Sequence, residues 1–301
     1  MRHSLWISLL FFASFAAGQN CTSYIVVGAF EHGSGDDIDN LNSRDFQARM
    51  NGRDLPVVSV AQNFSSRLLV LVETDGTRRE KIEDVVNTVT QLARRMPQGK
   101  PIAFGAFARR AIFTKDFSVD PEERNTAINE IREQSESLGK EVSLFDSLHE
   151  AIAKFGDHRP GDTILLVADP YDDNSHHSAS DIEKELLHSG TRLLVVLREH
   201  LSRVARDDFM WKSHEREKQF FSDMTARTGG AYTDFNAHFL ATFAWRGYLL
   251  GLQMPDNFNK PHKWKLKLGG GAAESYRKPV LYYPEQLLPC SSGNAERAAA
   301  P

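Results

Sequence analysis

The chain has 301 residues, of which 41% are hydrophobic, and its 36 basic and 40 acidic residues give a net charge of −4. A chain of this size can bury one large hydrophobic core and a small second one. The sequence pI of about 6.3 and the lack of a basic stripe in the sequence argue against nucleic acid as a partner.

The first 18 residues have the pattern of a secretory signal peptide. Arg2 and His3 precede an apolar stretch, 5–17, that ends in the small-residue cleavage pattern Ala16-Ala17-Gly18. This stretch is shorter than the roughly 20 residues of a membrane-spanning helix. We therefore exclude 1–18 from the fold and predict a secreted or periplasmic protein with no membrane span after signal removal.

Segment 19–62 is predicted to be rich in β-structure. It contains a strand at 24–30 and two further β-rich runs, 45–50 and 55–60, that are separated by Asn51-Gly52. Asn-Gly between two such runs is a strong signal for a two-residue hairpin turn. We expect a small β-module, separate from the α/β region that follows.

Segment 63–242 alternates strands and helices, which is typical of an α/β domain with a doubly wound, mostly parallel sheet. Its strands are continuous aliphatic runs, as expected for strands that helices cover on both faces. In chain order the patterns predict a strand at 67–72, a helix at 81–95, strands at 101–107 and 111–117, helices at 120–137 and 144–155, a strand at 162–168, a helix at 180–188, a strand at 192–197, a helix at 215–227 and a strand at 231–235.

Segment 243–288 returns to strands, predicted at 245–254, 262–268 and 279–283, with a glycine turn at 269–271. Apolar residues alternate with lysines in 262–268, so that one face packs inward and the other is solvated. We expect this segment to join 19–62 in one sandwich, and 289–301 to be disordered.

Cys21 and Cys290 lie near the two ends, and export permits a disulfide between them; two independent thiols are the alternative.

Two of the predicted strands carry acidic residues to one edge of the sheet. The first runs into Glu73-Thr74-Asp75-Gly76-Thr77, and the strand at 162–168 runs into Asp169. The carboxyl ends of parallel strands share an edge, which is where ligands bind in open α/β sheets. We therefore expect Glu73 and Asp169 to lie close together.

These two loops, with Ser143-Leu144-Phe145-Asp146-Ser147-Leu148 ahead of a predicted helix, resemble the von Willebrand factor type A (VWA) domain. More narrowly, residues 24–285 resemble the secreted VWA-related proteins of acidobacteria. The hairpin, Thr228-Gly229-Gly230 and the closing β-segment from Tyr248 to Tyr283 carry this narrower resemblance. It implies a Rossmann-like VWA fold with β-rich flanks and a bacterial source.

The resemblance also implies a metal-ion-dependent adhesion site. In the VWA family this site has Asp-x-Ser-x-Ser after the first strand, a Thr from a second loop and an Asp after a later strand. Carried across, these positions fall on Glu73, Asp75, Thr77, Val142 and Asp169. Only Asp169 is identical, and Thr77 is a conservative replacement.

The departures alter the chemistry of the implied site. Mg²⁺ requires near-octahedral oxygen ligation, but Val142 has no side-chain oxygen and Asp75 adds a charge where the family has a hydroxyl. Converging carboxylates would repel one another unless a cation or a proton is bound. We favour a degenerate site without metal, and the alternative is Mg²⁺ or Ca²⁺ bound by Glu73, Asp75, Thr77 and Asp169.

Asp172, Asp173, His176 and His177 could also ligate Zn²⁺, but their spacing matches no zinc pattern and an exposed polar loop is the simpler interpretation.

We predict a non-enzymatic, protein-binding or adhesion-like module whose partner surface comprises 73–77, 142–143 and 169–174. One alternative is an extracytoplasmic hydrolase that uses the carboxylates of Glu73, Asp75 and Asp169. The other is a structural envelope protein with no ligand at this edge.

Overall fold

The computed structural model describes residues 21–32, 35–62, 64, 66–74, 87, 90, 99–135, 137–169, 172–197, 208–233, 243–255, 258–276 and 278–289. The predicted signal peptide lies outside these residues, and so does the predicted tail apart from Pro289. So does the predicted helix at 81–95, apart from Asn87 and Thr90, which are both helical. Asp75, Thr77 and Cys290 are also outside the described residues.

Strands and helices are numbered here in chain order. The strands are β1 Thr22–Glu31, β2 Phe46–Met50, β3 Arg53–Leu55, β4 Val57–Ala61, β5 Leu68–Glu73, β6 Ile102–Phe107, β7 Ala111–Phe113, β8 Thr163–Ala168, β9 Arg192–Leu197, β10 Ala231–Thr233, β11 Tyr248–Gln253, β12 His262–Leu268, β13 Pro279–Tyr282 and β14 Gln286–Leu287. The helices are α1 Pro121–Ser135, α2 Leu144–Ala153, α3 Ala179–Ser189, α4 Asp208–Arg227 and α5 Gly270–Ser275.

A six-stranded sheet with the order β10-β9-β8-β5-β6-β7 forms the centre of the molecule. Its neighbouring strands are parallel except β7, which is antiparallel to β6. In β5, Leu69 and Leu71 face a core shared with α2, α3 and α4, whereas Val70 and Val72 face a second core. The sheet is thus covered on both faces, and the predicted α/β class is confirmed.

The second core contains Ile128 of α1 and a group of three aromatic rings. Phe30 of β1 stacks on Phe243 with 4.9 Å between ring centroids, and Tyr282 of β13 meets both rings edge to face. Edge-to-face and stacked rings are favourable beyond the area that they bury. These contacts attach the flanking β-structure directly to the central sheet.

Strands from the two chain ends form two four-stranded antiparallel sheets, β13-β1-β11-β4 and β14-β12-β2-β3. Their apolar faces share one hydrophobic cluster, which includes Val27, Ala48, Leu250 and Leu266. This is the sandwich that the sequence predicts. Cys21 at its start is disulfide-bonded, and because Cys290 is outside the described residues, the pairing of the two cysteines stays a prediction.

Two local predictions at the sandwich were wrong. The run 55–60 is split at Pro56: β3 completes the hairpin with β2, and β4 crosses to the other sheet to pair with β11. The hairpin turn itself is as predicted, because Asn51 and Gly52 have φ values of 52° and 78°, as a turn with two left-handed central residues requires. The predicted glycine turn at 269–271 is the start of α5, with Gly269 as its N-cap.

An ion-pair network links the end of α4 to the sandwich. Arg227 pairs with Glu183 of α3 and, through Nε at 2.8 Å, with Oε2 of Glu285. Lys263 of β12 also pairs with Glu285. The hydrogen bonds from Lys263 and Arg227, opposed by partial burial, hold the pKa of Glu285 below its usual range.

Arg192, the first residue of β9, is buried and poorly partnered. Its Nε donates to the carbonyl of Gly229 at 3.3 Å and its guanidinium lies 5.0 Å from the centroid of Phe243, but its two terminal nitrogens have no hydrogen-bond partner among the described residues. Burial lowers the pKa of Arg192 to about 10. The charged form therefore opposes folding below that pH.

We expect Arg192→Met to raise the free energy of unfolding by about 1–2 kcal/mol at pH 7, because methionine fills the space without a charge to desolvate. The sign follows from linkage: a basic group whose folded-state pKa is depressed destabilises the fold while it is charged. Urea denaturation of both proteins measures the difference. A clear fall in stability would mean that the guanidinium has a partner that stabilises it.

Candidate functional site

The acidic edge predicted from the sequence is present at the carboxyl ends of β5 and β8. The backbone N–H of Asp169 donates to Oε2 of Glu73 at 2.7 Å. Asp169 is only 7% exposed and Glu73 only 3%. Glu73 and Asp169 therefore lie side by side, as predicted, but within the protein interior.

Glu73, the last residue of β5, and Thr74 after it both make hydrogen bonds to neighbouring strand ends. One oxygen of Glu73 accepts the Asp169 amide, and the backbone N–H and hydroxyl of Thr74 donate to the carbonyl of Phe107 at 2.7 and 3.2 Å. Asp75 and Thr77 lie outside the described residues. The metal-binding set of Glu73, Asp75, Thr77 and Asp169 therefore stays a prediction.

Val142, where the family has a threonine ligand, is buried in the core shared with α2. Its N–H donates to Oδ2 of Asp173 at 3.1 Å, and its carbonyl accepts from the backbone N–H groups of Asp173 and Asn174 at 2.8 and 3.2 Å. The second loop is thus bound to the loop that follows β8. Val142 offers no side-chain oxygen, and its carbonyl is already engaged.

The loop after β8 also caps α2. Oδ1 of Asp172 accepts from the N–H of Leu144 at 2.7 Å, and Oγ of Ser175 accepts from the N–H groups of Phe145 and Asp146 at 3.0 and 3.1 Å. A carboxylate at a helix N-terminus satisfies free amides and interacts favourably with the helix dipole. The sequence analysis considered Asp172 as a zinc ligand. In the structure, its carboxylate instead caps α2.

Asp146 of α2 binds both histidines of the same loop. Its carboxylate accepts the backbone N–H of His176 at 3.0 Å and of His177 at 2.9 Å, and it contacts their Nδ1 atoms at 3.0 and 2.7 Å. Burial opposes the ionisation of Asp146, but the hydrogen bonds from His177 and His176 outweigh it and hold its pKa well below the usual range. Of the four residues considered as zinc ligands, the two aspartates thus bind backbone amides and the two histidines share Asp146.

We expect Asp146→Asn to lower the free energy of unfolding by about 1–3 kcal/mol at pH 7, because an amide replaces a charged acceptor of several hydrogen bonds. The folded-state pKa of Asp146 is depressed, so this stabilisation is present above the unfolded value near 3.8 and is lost as pH falls below it. Urea denaturation at pH 7 and pH 3 should show the difference shrinking in acid. Asp54→Asn, at an exposed carboxylate, is the control; a difference independent of pH would contradict the assignment.

A further group beside Asp146 was not identified from the sequence. His149 of α2 is bound through Nδ1 to Glu185 of α3 at 2.9 Å, and its ring stacks on His177 with 4.2 Å between centroids. Donor atoms of His149, His177 and Glu185 all lie within 4.8 Å of one another. The only local signal is the spacing of Asp146 and His149, which places both on one face of a helix.

The site and the sheet define a class of protein: an α/β domain whose loops meet at the carboxyl edge of a parallel sheet. No family model matches the sequence, and no curated protein does. Solved structures do match. Proximal thread matrix protein 1 from the mussel byssus, with a zinc-occupied MIDAS motif, aligns with 65% of this chain and 50% of its own at a TM-score of 0.50 and 13% identity.

Two further matches have lower TM-scores. BatB from Bacteroides thetaiotaomicron aligns with 60% of this chain and 97% of its own at a TM-score of 0.45 and 14% identity. A von Willebrand factor type A structure from Catenulispora acidiphila aligns with 90% of this chain and 75% of its own at a TM-score of 0.42 and 9% identity. The central α/β region has the von Willebrand factor type A fold. In the described part of the chain, no helix is long and apolar enough to cross a membrane.

Proposed function

We propose that this protein is an exported, non-catalytic VWA module that binds a protein partner at the carboxyl edge of its central sheet without a metal ion at the adhesion site. The observation that carries the proposal is the hydrogen bond from the Asp169 amide to the Glu73 carboxylate. This bond occupies one acceptor site of the Glu73 carboxylate, and both residues are buried where a ligand would have to reach them. The resemblance to secreted bacterial VWA-related proteins supports export by the signal at 1–18.

The exposure of the edge favours binding over catalysis. Glu73 and Asp169 are buried, whereas Asp173, Asn174 and His176 in the loop after β8 are exposed. Hydrolysis by paired carboxylates needs both groups within reach of the substrate. A protein partner needs only the outer loop, which is anchored to α2 and to Val142.

Site-specific photo-crosslinking tests the partner surface. A photoreactive side chain at Asn174 in the mature protein, exposed to the exported fraction of the source cells, is expected to give one adduct of defined mass in EDTA as well as in Mg²⁺. The matched control is Lys267, an exposed position on β12. Adducts at both positions, or at neither, would count against the edge as the partner surface.

Calorimetric titration with Mg²⁺ and Ca²⁺ tests the absence of an ion at the adhesion site. At millimolar ion, we expect the unaltered protein and the Glu73→Gln variant to give the same heat and the same thermal midpoint, because no ion binds at Glu73. Binding that disappears in both Glu73→Gln and Asp169→Asn would instead establish a metal-dependent site. A hydrolase screen completes the comparison, because an activity abolished by both Glu73→Ala and Asp169→Ala would favour the enzyme alternative.

A further inference from the structure

The packing of α2 against α3 brings together two imidazoles and a carboxylate. His149 projects from α2, Glu185 from α3, and His177 from the residues just before α3. All three side chains are partly exposed. The group lies outside the Glu73 and Asp169 edge and shares no residue with it.

We propose that His149, His177 and Glu185 bind a transition-metal ion, with Zn²⁺ as the ion and one coordination position left for water. Imidazole nitrogens and a carboxylate oxygen suit Zn²⁺, and three protein ligands with an open position are a common zinc arrangement. This proposal is independent of the function proposed for the edge.

The distances are close to those that a single ion requires. Donor atoms around a tetrahedral ion with bonds of about 2.0–2.1 Å are roughly 3.3 Å apart. Nδ1 of His149 is 2.9 to 3.0 Å from the two carboxylate oxygens of Glu185, and all three donors lie within 4.8 Å. The 4.8 Å limit exceeds this spacing and the two imidazole rings are stacked, so binding one ion requires the partly exposed side chains to rotate.

Asp146 orients the third ligand. It binds Nδ1 of His177 at 2.7 Å, which leaves Nε2 of that ring for a metal. Histidine ligands of metals commonly donate their other ring N–H to a carboxylate, and this bond fixes the tautomer and the ring orientation. The hydrogen bonds that Asp146 also accepts from the backbone of His176 and His177 hold the loop in place.

The ion would join two helices that the contact between His149 and Glu185 already links. His149 lies on the helix that starts at the second edge loop, and His177 lies in the loop that caps that helix. A bound ion would therefore stabilise the relative position of α2, α3 and the loop after β8. At a Zn²⁺ concentration of about 100 times its dissociation constant, the thermal midpoint is expected to rise by about 5 °C.

Titration with Co²⁺ and Zn²⁺ tests the site in mature protein that carries no affinity tag. Co²⁺ is expected to give the visible absorption of a tetrahedral ion, with one ion per chain, and Zn²⁺ is expected to displace it. His149→Ala and His177→Ala should abolish the absorption and the thermal shift. Asp146→Asn should weaken binding by about 10–100-fold.

His176→Ala is the matched control, because His176 contacts the same Asp146 carboxylate but its side chain is 90% exposed and outside the proposed ligands. It should bind Co²⁺ as the unaltered protein does. The double variant His149→Ala with Glu185→Gln measures how much Co²⁺ other histidines of the chain bind. Circular dichroism checks that this variant is folded. Equal Co²⁺ spectra in that variant and in the unaltered protein, or no spectrum in either, would overturn the proposal.

Discussion

Arg67→Met is expected to lower the free energy of unfolding by about 3–5 kcal/mol, because it leaves the carboxylate of Asp162 buried without its cation. Arg67 precedes β5, and it binds Asp162 through Nε at 2.9 Å and a terminal nitrogen at 2.5 Å. Its other bonds go to the carbonyls of Phe155 and Asp157. The guanidinium also lies 5.2 Å from the ring centroids of both Phe117 and Phe155.

Urea denaturation followed by tryptophan fluorescence measures this loss. The control is Arg49→Met, which breaks an exposed pair with Asp54 and should change stability by less than about 1 kcal/mol. Adding Asp162→Leu to Arg67→Met should recover part of the loss, since the unpaired carboxylate is then gone. A loss no larger than that of Arg49→Met would mean that this ion pair does not hold the starts of β5 and β8 together.

The central sheet could be predicted because its signal is local. β5 and β8 are aliphatic at every position except Glu73 and Thr163, and only strands covered on both faces need that pattern. The adjacency of Glu73 and Asp169 followed from the shared edge of parallel strands. The separation of β3 from β4 could not be predicted, because it depends on β11, which pairs with β4 from the far end of the chain.

The candidate sites show the same division between local and long-range signals. Sequence reasoning grouped His176 and His177 with Asp172 and Asp173 because they are neighbours in the chain. In the folded protein the two aspartates turn to Leu144 and Val142, and both histidines turn to Asp146, about 30 residues away. Glu185 meets His149 only because two helices pack, and a single sequence carries no signal for that contact.

Gly230→Ala is expected to lower the free energy of unfolding by more than about 4 kcal/mol, or to prevent folding, because no alanine methyl group fits there. A Cβ at this position would lie 1.8 Å from the carbonyl oxygen of Leu193 and 2.7 Å from its carbonyl carbon. Leu193 belongs to β9, which lies between β10 and β8 in the sheet, so the obstacle is backbone and no rotamer change removes it. Relief would require β10, which pairs with β9 from Ala231 onward, to move away.

The neighbours of Gly230 in Thr228-Gly229-Gly230 explain why such a motion would spread. The hydroxyl of Thr228 accepts from the N–H of Leu193 at 3.2 Å, and a Cβ on Gly229, where φ is +73°, would lie 2.6 Å from the nitrogen of Pro284. The three residues therefore fix the end of α4 against β9 on one side and the sandwich on the other. Expression yield and urea denaturation of Gly230→Ala measure the effect.

Gly271→Ala is the matched control, because it makes the same change where no surrounding atom lies within 4 Å of the new Cβ. Gly271 is exposed within α5, and alanine favours a helix over glycine by up to about 1 kcal/mol. The control should therefore be as stable as the unaltered protein or slightly more stable. If Gly230→Ala behaved in the same way, β10 would be able to shift along β9 without loss, and the close approach of the two strands would not be what holds this end of the sheet.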